Sequence, residues 1–307
     1  MPSTDDWFLH PDGYAEIRRI RASEPAAVAA AHAARTRRPL LGDDGRLFLI
    51  AADHPARGAL GIGGDPMAMA DRIRMLDRLA LALSRPGVDG VLGTPDVIDD
   101  LALLGVLDGK VAAGSMNRGG LRGAVFELDD RYTAYDVPAI VRDRLDFAKC
   151  LLRIDLRDPA TVVTLEATAA AVSAAAAAEV PIMLEPFMSR TRGGVVENDL
   201  TADAVITAVG IAAALGTSSA YSWMKLPVVP DMERVMAATT LPTLLLGGDR
   251  ADDPDAAYSS WEHALSLPGV RGLVVGRNLL APPGGDVAAA VDQAARMVRP
   301  AIADARR

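Results

Sequence analysis

The feature that most constrains this chain is a strict alternation of two kinds of apolar segment. Short runs rich in Leu, Val and Ile take turns with longer Ala-rich stretches of helical period, eight of each. The short runs, read as strands, cover 47–52, 90–92, 111–114, 147–154, 182–185, 221–226, 243–246 and 272–275. Helical periodicity fills 67–84, 97–104, 137–144, 162–178, 202–215, 232–238, 256–265 and 287–298. Strands that are apolar throughout are buried on both faces, which calls for parallel pairing with helices outside. Eight such units predict an α/β fold, a closed (β/α)8 TIM barrel. An open doubly wound sheet would more often carry a glycine fingerprint after its first strand, and the run GIGGD at 61–65 lacks the GxGxxG spacing. A polar stretch over 14–36 reads as helical. The expected organisation is an N-terminal helical extension, 1–37, followed by a barrel catalytic domain, 38–307.

Composition then excludes partners. Aromatic residues make up only 4% of a chain that is 50% hydrophobic, so the core is expected to be aliphatic. With 32 Lys and Arg against 40 Asp and Glu, the net charge is −8, and no long basic stretch offers a footprint for nucleic acid. A single cysteine, Cys150, forms no internal disulfide and fits a reducing, cytoplasmic setting. The first residues carry acids rather than an apolar run. The longest apolar stretch, 167–178, is mostly Ala and short of the roughly twenty residues a span needs, so no membrane association is expected.

In this fold the chemistry sits at the C-terminal ends of the strands. Lys225 lies in the apolar sixth run, Tyr-Ser-Trp-Met-Lys-Leu-Pro, and is one of only three lysines. An inward lysine is costly to desolvate unless its pKa falls, and a depressed pKa makes a nucleophilic amine able to form a Schiff base. A lysine paired with a nearby acid fits the same pattern. Lys149, in the fourth run, offers either a second cation at the mouth or an ion pair lower in the barrel. Glu185 ends the fifth run before Pro186, where pairing is expected to stop. It suits proton transfer or simple capping of backbone amides. Asp53 and His54 end the first run and can hydrogen-bond a polyol. The other histidines, His10, His32 and His263, fall away from strand ends, so no metal site is expected. Gly247-Gly248 and Gly276-Arg277 follow the seventh and eighth runs, the two places where this fold commonly holds a phosphate.

The set Asp53…Arg57-Gly58-Ala59-Leu60, Ala148-Lys149, Leu184-Glu185-Pro186, Met224-Lys225, Gly247-Gly248 and Gly276-Arg277-Asn278 resembles the DhnA/LacD-type class I aldolases. It is most similar to the actinobacterial branch associated with myo-inositol catabolism. The resemblance implies a lyase in which Lys225 forms a covalent imine with no metal or other cofactor. It implies that Glu185 and Lys149 assist proton transfer and polarise the substrate, with Asp53 near the carbinolamine. His54, Arg57, Gly247, Gly248, Gly276 and Arg277 would bind substrate and its phosphate. A tyrosine found on a neighbouring strand in the fructose-bisphosphate members has no counterpart here. The implied partner is a small-molecule sugar phosphate, with 2-deoxy-5-keto-D-gluconate 6-phosphate, cleaved to dihydroxyacetone phosphate and malonate semialdehyde, as the expected substrate. A tagatose- or sulfofructose-phosphate aldolase, a sugar-phosphate isomerase or epimerase, and a non-catalytic sugar-phosphate binding protein are the alternatives. An acidic aldehyde would need a cation, for which Arg118, Arg122, Arg190 and Arg192 on expected top-face loops are candidates. A homo-oligomer is expected.

Overall fold

The computed structural model describes residues 7–62, 64–248 and 254–300. Gly63 of the glycine-rich run and Asp249 beyond the seventh strand lie outside them, as do the two ends of the expected extension and barrel. The strands are β1 (Leu47–Ala51), β2 (Gly90–Gly93), β3 (Val111–Ser115), β4 (Phe147–Ile154), β5 (Ile182–Arg192), β6 (Val195–Asn198), β7 (Ser222–Pro227), β8 (Thr243–Leu246) and β9 (Val270–Val275). All but β6 pair in parallel around a ring. The order runs β1 through β5, then β7, β8 and β9, and β9 returns to β1. This is a closed (β/α)8 barrel. The sixth, seventh and eighth strands read from the sequence are β7, β8 and β9.

Two cores follow from the strands' burial on both faces. Inside the ring, residues two apart on each strand point inward. Leu47 and Leu49 of β1, Phe147 of β4, Met183 of β5, Trp223 of β7 and Leu244 of β8 fill the lower barrel. Phe147 and Trp223 meet edge to face with ring centroids 5.5 Å apart. Outside, a larger aliphatic cluster joins strands to helices. The helices that follow the strands are α3 (Arg72–Ser84), α4 (Pro95–Leu103), α5 (Val137–Arg142), α6 (Ala160–Ala177), α7 (Ala202–Ala213), α8 (Met232–Ala237), α9 (Pro254–Leu265) and, after β9, a short α10 (Arg277–Leu280) before α11 (Val287–Val298). By length and composition α6 could cross a membrane, more than the 167–178 stretch suggested. In the fold it packs on β4, burying Thr164, Thr168, Val172 and Ala175.

One expectation is refined and one is corrected. The stretch 14–36 is two helices, α1 (Pro11–Ser23) and α2 (Ala26–Ala34), because Pro25 cannot continue α1 and pushes Glu24 out of the helical region. Pairing does not stop at Pro186 either. β5 runs on to Arg192 and folds back as β6 across Gly193 and Gly194, both at positive φ. The proline is tolerated because β5 has already parted from β7 after Leu184, so the missing N–H breaks no pairing on that side.

Candidate active site

Directly above the hydrophobic floor of the barrel lies a charged layer. Lys149 is two residues above Phe147 on β4, Glu185 two above Met183 on β5, and Lys225 two above Trp223 on β7. The same inward phase that fills the floor therefore aims these three side chains into the barrel. Glu185 lies between the lysines, with Oε2 at 2.7 Å from the Lys149 Nζ and Oε1 at 2.9 Å from the Lys225 Nζ. On its other side Lys149 donates to the Asp53 Oδ2 at 2.8 Å, and the Ser115 hydroxyl lies 3.3 Å from that same oxygen. All three strand residues are at least nine-tenths buried.

The two lysines are driven in opposite directions. Burial disfavours the charged form of each. At Lys149 two carboxylates, Asp53 and Glu185, outweigh it, and the amine titrates above the ordinary lysine value. At Lys225 burial prevails, reinforced by the Lys149 cation and only partly opposed by Glu185, and the pKa falls. Burial raises the carboxylates too, yet the lysines overcome it and hold both Asp53 and Glu185 below their usual range. The arrangement holds one fixed cation beside one amine biased toward its neutral, nucleophilic form. Lys110, the third lysine, lies elsewhere and donates to the Val88 carbonyl at 2.8 Å.

Above this layer opens a cavity of about 500 Å³. Asp53, His54, Arg57, Lys149, Glu185, Lys225, Gly247, Gly248, Gly276 and Arg277 all line it. His54 is buried in the one-turn helix after β1, and burial pushes its pKa down to about 4, so it stays neutral near pH 7. The glycines sit where crowding or backbone conformation disfavours a side chain. A Cβ on Gly276 would stand 2.3 Å from the Ala51 carbonyl oxygen and one on Gly247 2.5 Å from a Val275 methyl, while Gly248 has φ +67°. The Asn278 amide donates to the Gly247 carbonyl at 3.0 Å, tying the two loops together beside Arg277. His10, His32 and His263 each face a carboxylate outside the cavity.

Other lining residues escaped the sequence reading. Arg153, two residues above Leu151 on β4, and Glu127, from the long loop after β3, form a buried ion pair in the cavity wall. Glu127 comes from a segment with no periodicity, and only the inward phase of β4 could have flagged Arg153. The candidate arginines divide. Arg118 and Arg122 line the cavity, whereas Arg190 and Arg192 line a separate cleft with Arg157, Asp155 and Asp158. Val195 to Asn198 of β6 form part of the cavity wall.

A family model described as Cgl0159-like matches residues 45–295. The crystal structure of Cgl0159 from Corynebacterium glutamicum is similar at 63% identity with a TM-score of 0.94, covering 96% of this chain and 99% of that one. An archaeal fructose 1,6-bisphosphate aldolase is similar at 19% identity and a TM-score of 0.60, over 88% of this chain and 98% of that one. An archaeal fructose-1,6-bisphosphate aldolase with its catalytic Lys covalently bound to the carbinolamine intermediate matches at 20% identity and 0.59, over 88% and 99%. At such identities the aldolases share the barrel fold with this chain. No curated protein matches it.

Proposed function

This chain belongs to the Cgl0159-like family, and from that premise and the geometry of its cavity we propose that it is a class I aldolase acting on a phosphorylated keto sugar through an imine at Lys225. The observation that carries the reading is the pair of buried lysines sharing Glu185 with opposite pKa shifts. A nearby cation and desolvation are the two means by which an amine becomes a nucleophile near neutral pH, and Lys225 has both.

In this reading the Lys225 amine adds to the substrate carbonyl to give a carbinolamine, which loses water to give a protonated imine. Glu185, as a carboxylate, takes the proton from the hydroxyl of the carbon beyond the breaking bond. That C–C bond then breaks, its electron pair flowing into the iminium to form an enamine, and the aldehyde half leaves. A proton returns to the enamine carbon, and water hydrolyses the imine to release the ketone and restore the amine. Lys149 stays charged throughout and stabilises the oxygen that bears charge at the carbinolamine, with Asp53 holding it in place. Gly247, Gly248, Gly276 and Arg277 suit the phosphate, where glycines let backbone N–H groups approach an anion and the guanidinium adds a charge-assisted contact. His54 and Arg57 line the same cavity and are available to the substrate's hydroxyls. A metal is not needed for this route, so EDTA should leave turnover unchanged. The specific expectation of 2-deoxy-5-keto-D-gluconate 6-phosphate stays within this proposal and rests on the resemblance.

Borohydride reduction in the presence of a panel of ketose phosphates tests the reading, since only an imine is converted to a stable secondary amine. A gain in intact mass equal to the reduced adduct is expected with dihydroxyacetone phosphate. Turnover of a sugar phosphate with no trapped adduct would favour acid–base isomerisation and overturn it.

A further inference from the structure

Above the charged layer the barrel turns apolar again. Continuing the inward phase by two residues places Leu151 above Lys149 on β4, Phe187 above Glu185 on β5, Pro227 above Lys225 on β7 and Leu246 above Leu244 on β8. Leu151, Phe187 and Leu246 are buried and join in one cluster, separate from both the floor and the outer core. With Pro227 they line the same cavity as the two lysines. A hydroxyl buried without a partner costs free energy, so a layer that recognised a sugar would offer hydrogen bonds. These four side chains offer none, and recognition of the sugar is not what they supply.

The layer treats the two lysines unequally. Lys225 has Trp223 below it and Pro227 above it on β7, and on β8 Leu244 pairs level with it while Leu246 stands one step higher. On the other flank β5 brings Glu185, in contact at 2.9 Å, and then Phe187. Lys149 instead pairs level with Ser115 on β3, and the Asp53 carboxylate and Ser115 hydroxyl meet on that side. The titratable groups facing Lys225 are Glu185 from β5, Lys149 from β4, and Asp53 and His54 from the end of β1. Val274 of β9 lines the cavity level with Leu246, and Arg277 follows that strand. Removing water from an amine disfavours its ammonium form, and one shared carboxylate does not restore it at Lys225.

We propose that Leu151, Phe187, Pro227 and Leu246 form a collar that keeps water from the Lys225 amine and so sets its reactivity, with Phe187 and Leu246 as positioning residues for the nucleophile. These two stand on the strands that flank β7, one on each side. The inference rests on the reading of Lys225 as the nucleophile and adds how the barrel makes it one. Floor and collar enclose that amine between apolar layers, while Lys149 keeps its two acids.

Pulse acetylation with acetic anhydride over a pH series measures this without imine chemistry, since only a neutral amine reacts. Peptide mapping of the full chain reads Lys225, with Lys110, outside the cavity, as the internal reference. In the parent, Lys225 should become reactive at lower pH than an ordinary lysine, which titrates at about 10.4. Phe187→Ser and Leu246→Thr admit water and should move that midpoint up by about one pH unit or more. Borohydride trapping of dihydroxyacetone phosphate at pH 7 should then slow about tenfold for each unit and recover at higher pH. Phe187→Leu and Leu246→Met keep the collar apolar and should hold the parental midpoint. A thermal melt confirms that each variant folds, Leu246→Thr being the milder of the polar changes. An ordinary midpoint for Lys225 in the parent would overturn the collar. So would polar variants that fold and titrate like the parent, or apolar variants that shift as far as the polar ones. A lowered Lys225 midpoint with no borohydride adduct would leave the collar standing and remove the imine reading.

Discussion

Lys225 and Lys149 carry the same side chain in the same layer, separated by the strand that bears Glu185, and they should respond oppositely to the same substitution. The lowered pKa of Lys225 means that folding disfavours its charge. That cost is full below the folded value, shrinks as pH rises toward about 10.4, the ordinary lysine value, and is gone above it. Lys225→Met should therefore abolish imine trapping and leave the melting temperature unchanged or raised, by about 2–4 °C for each kcal/mol regained. Lys149→Met should instead leave Asp53 buried without its cation and cost about 3–5 kcal/mol. A Lys149 variant as stable as the parent would show that the carboxylates are solvated after all. Glu185→Gln keeps the shape but cannot take a proton, so kcat should fall about 10²- to 10⁴-fold while an adduct still forms at Lys225. His54 gives a pH signature. It is buried neutral with a value near 4, whereas an unfolded histidine titrates near 6.5. The unfolded chain takes up its proton first, so stability should decline as pH falls from about 6.5 to 4, by roughly 3 kcal/mol at most. His54→Asn should flatten that decline in a melting series.

At the scale of elements, the strands were legible because burial on both faces leaves uninterrupted apolar runs, and a charged residue inside such a run, as at Lys225, stands out. The β5–β6 hairpin was not read, although its signal is present: Gly193-Gly194 between extended runs is a two-residue hairpin turn. Pro186 masked it, since a proline ordinarily stops pairing and only the departure of β7 makes it harmless here. The pairing of Arg153 with Glu127 was illegible for another reason, because it joins an inward strand position to a loop 26 residues away. The loops after β8 and β9 yield a prediction of their own. In Gly276→Ala the new methyl meets the backbone oxygen of Ala51, not a yielding side chain, so the loop must shift. KM for a phosphorylated substrate should rise about tenfold or more, while trapping of unphosphorylated dihydroxyacetone at Lys225 persists. Unchanged kinetics would place the phosphate away from this loop.

The whole molecule divides by face, with stability concentrated at the floor of the barrel and chemistry at its mouth. At the floor, buried Asp89 accepts from the Phe48 N–H at 2.7 Å and the Arg299 guanidinium at 2.8 Å, and pairs with Arg38, tying the first strand to the chain segments on either side of the barrel. Asp89→Ala should lower the melting temperature through the loss of about 3–5 kcal/mol, yet leave imine trapping intact below that temperature. The mouth carries the central claim, that Lys225 and not Lys149 is the nucleophile, although both amines touch the same carboxylate. Peptide mapping of the wild-type chain after incubation with dihydroxyacetone phosphate and borohydride measures this directly. The account predicts the reduced three-carbon adduct on the peptide containing Lys225, with Lys149 unmodified; an adduct on Lys149, or none on either lysine in a chain that turns over a sugar phosphate, would contradict it.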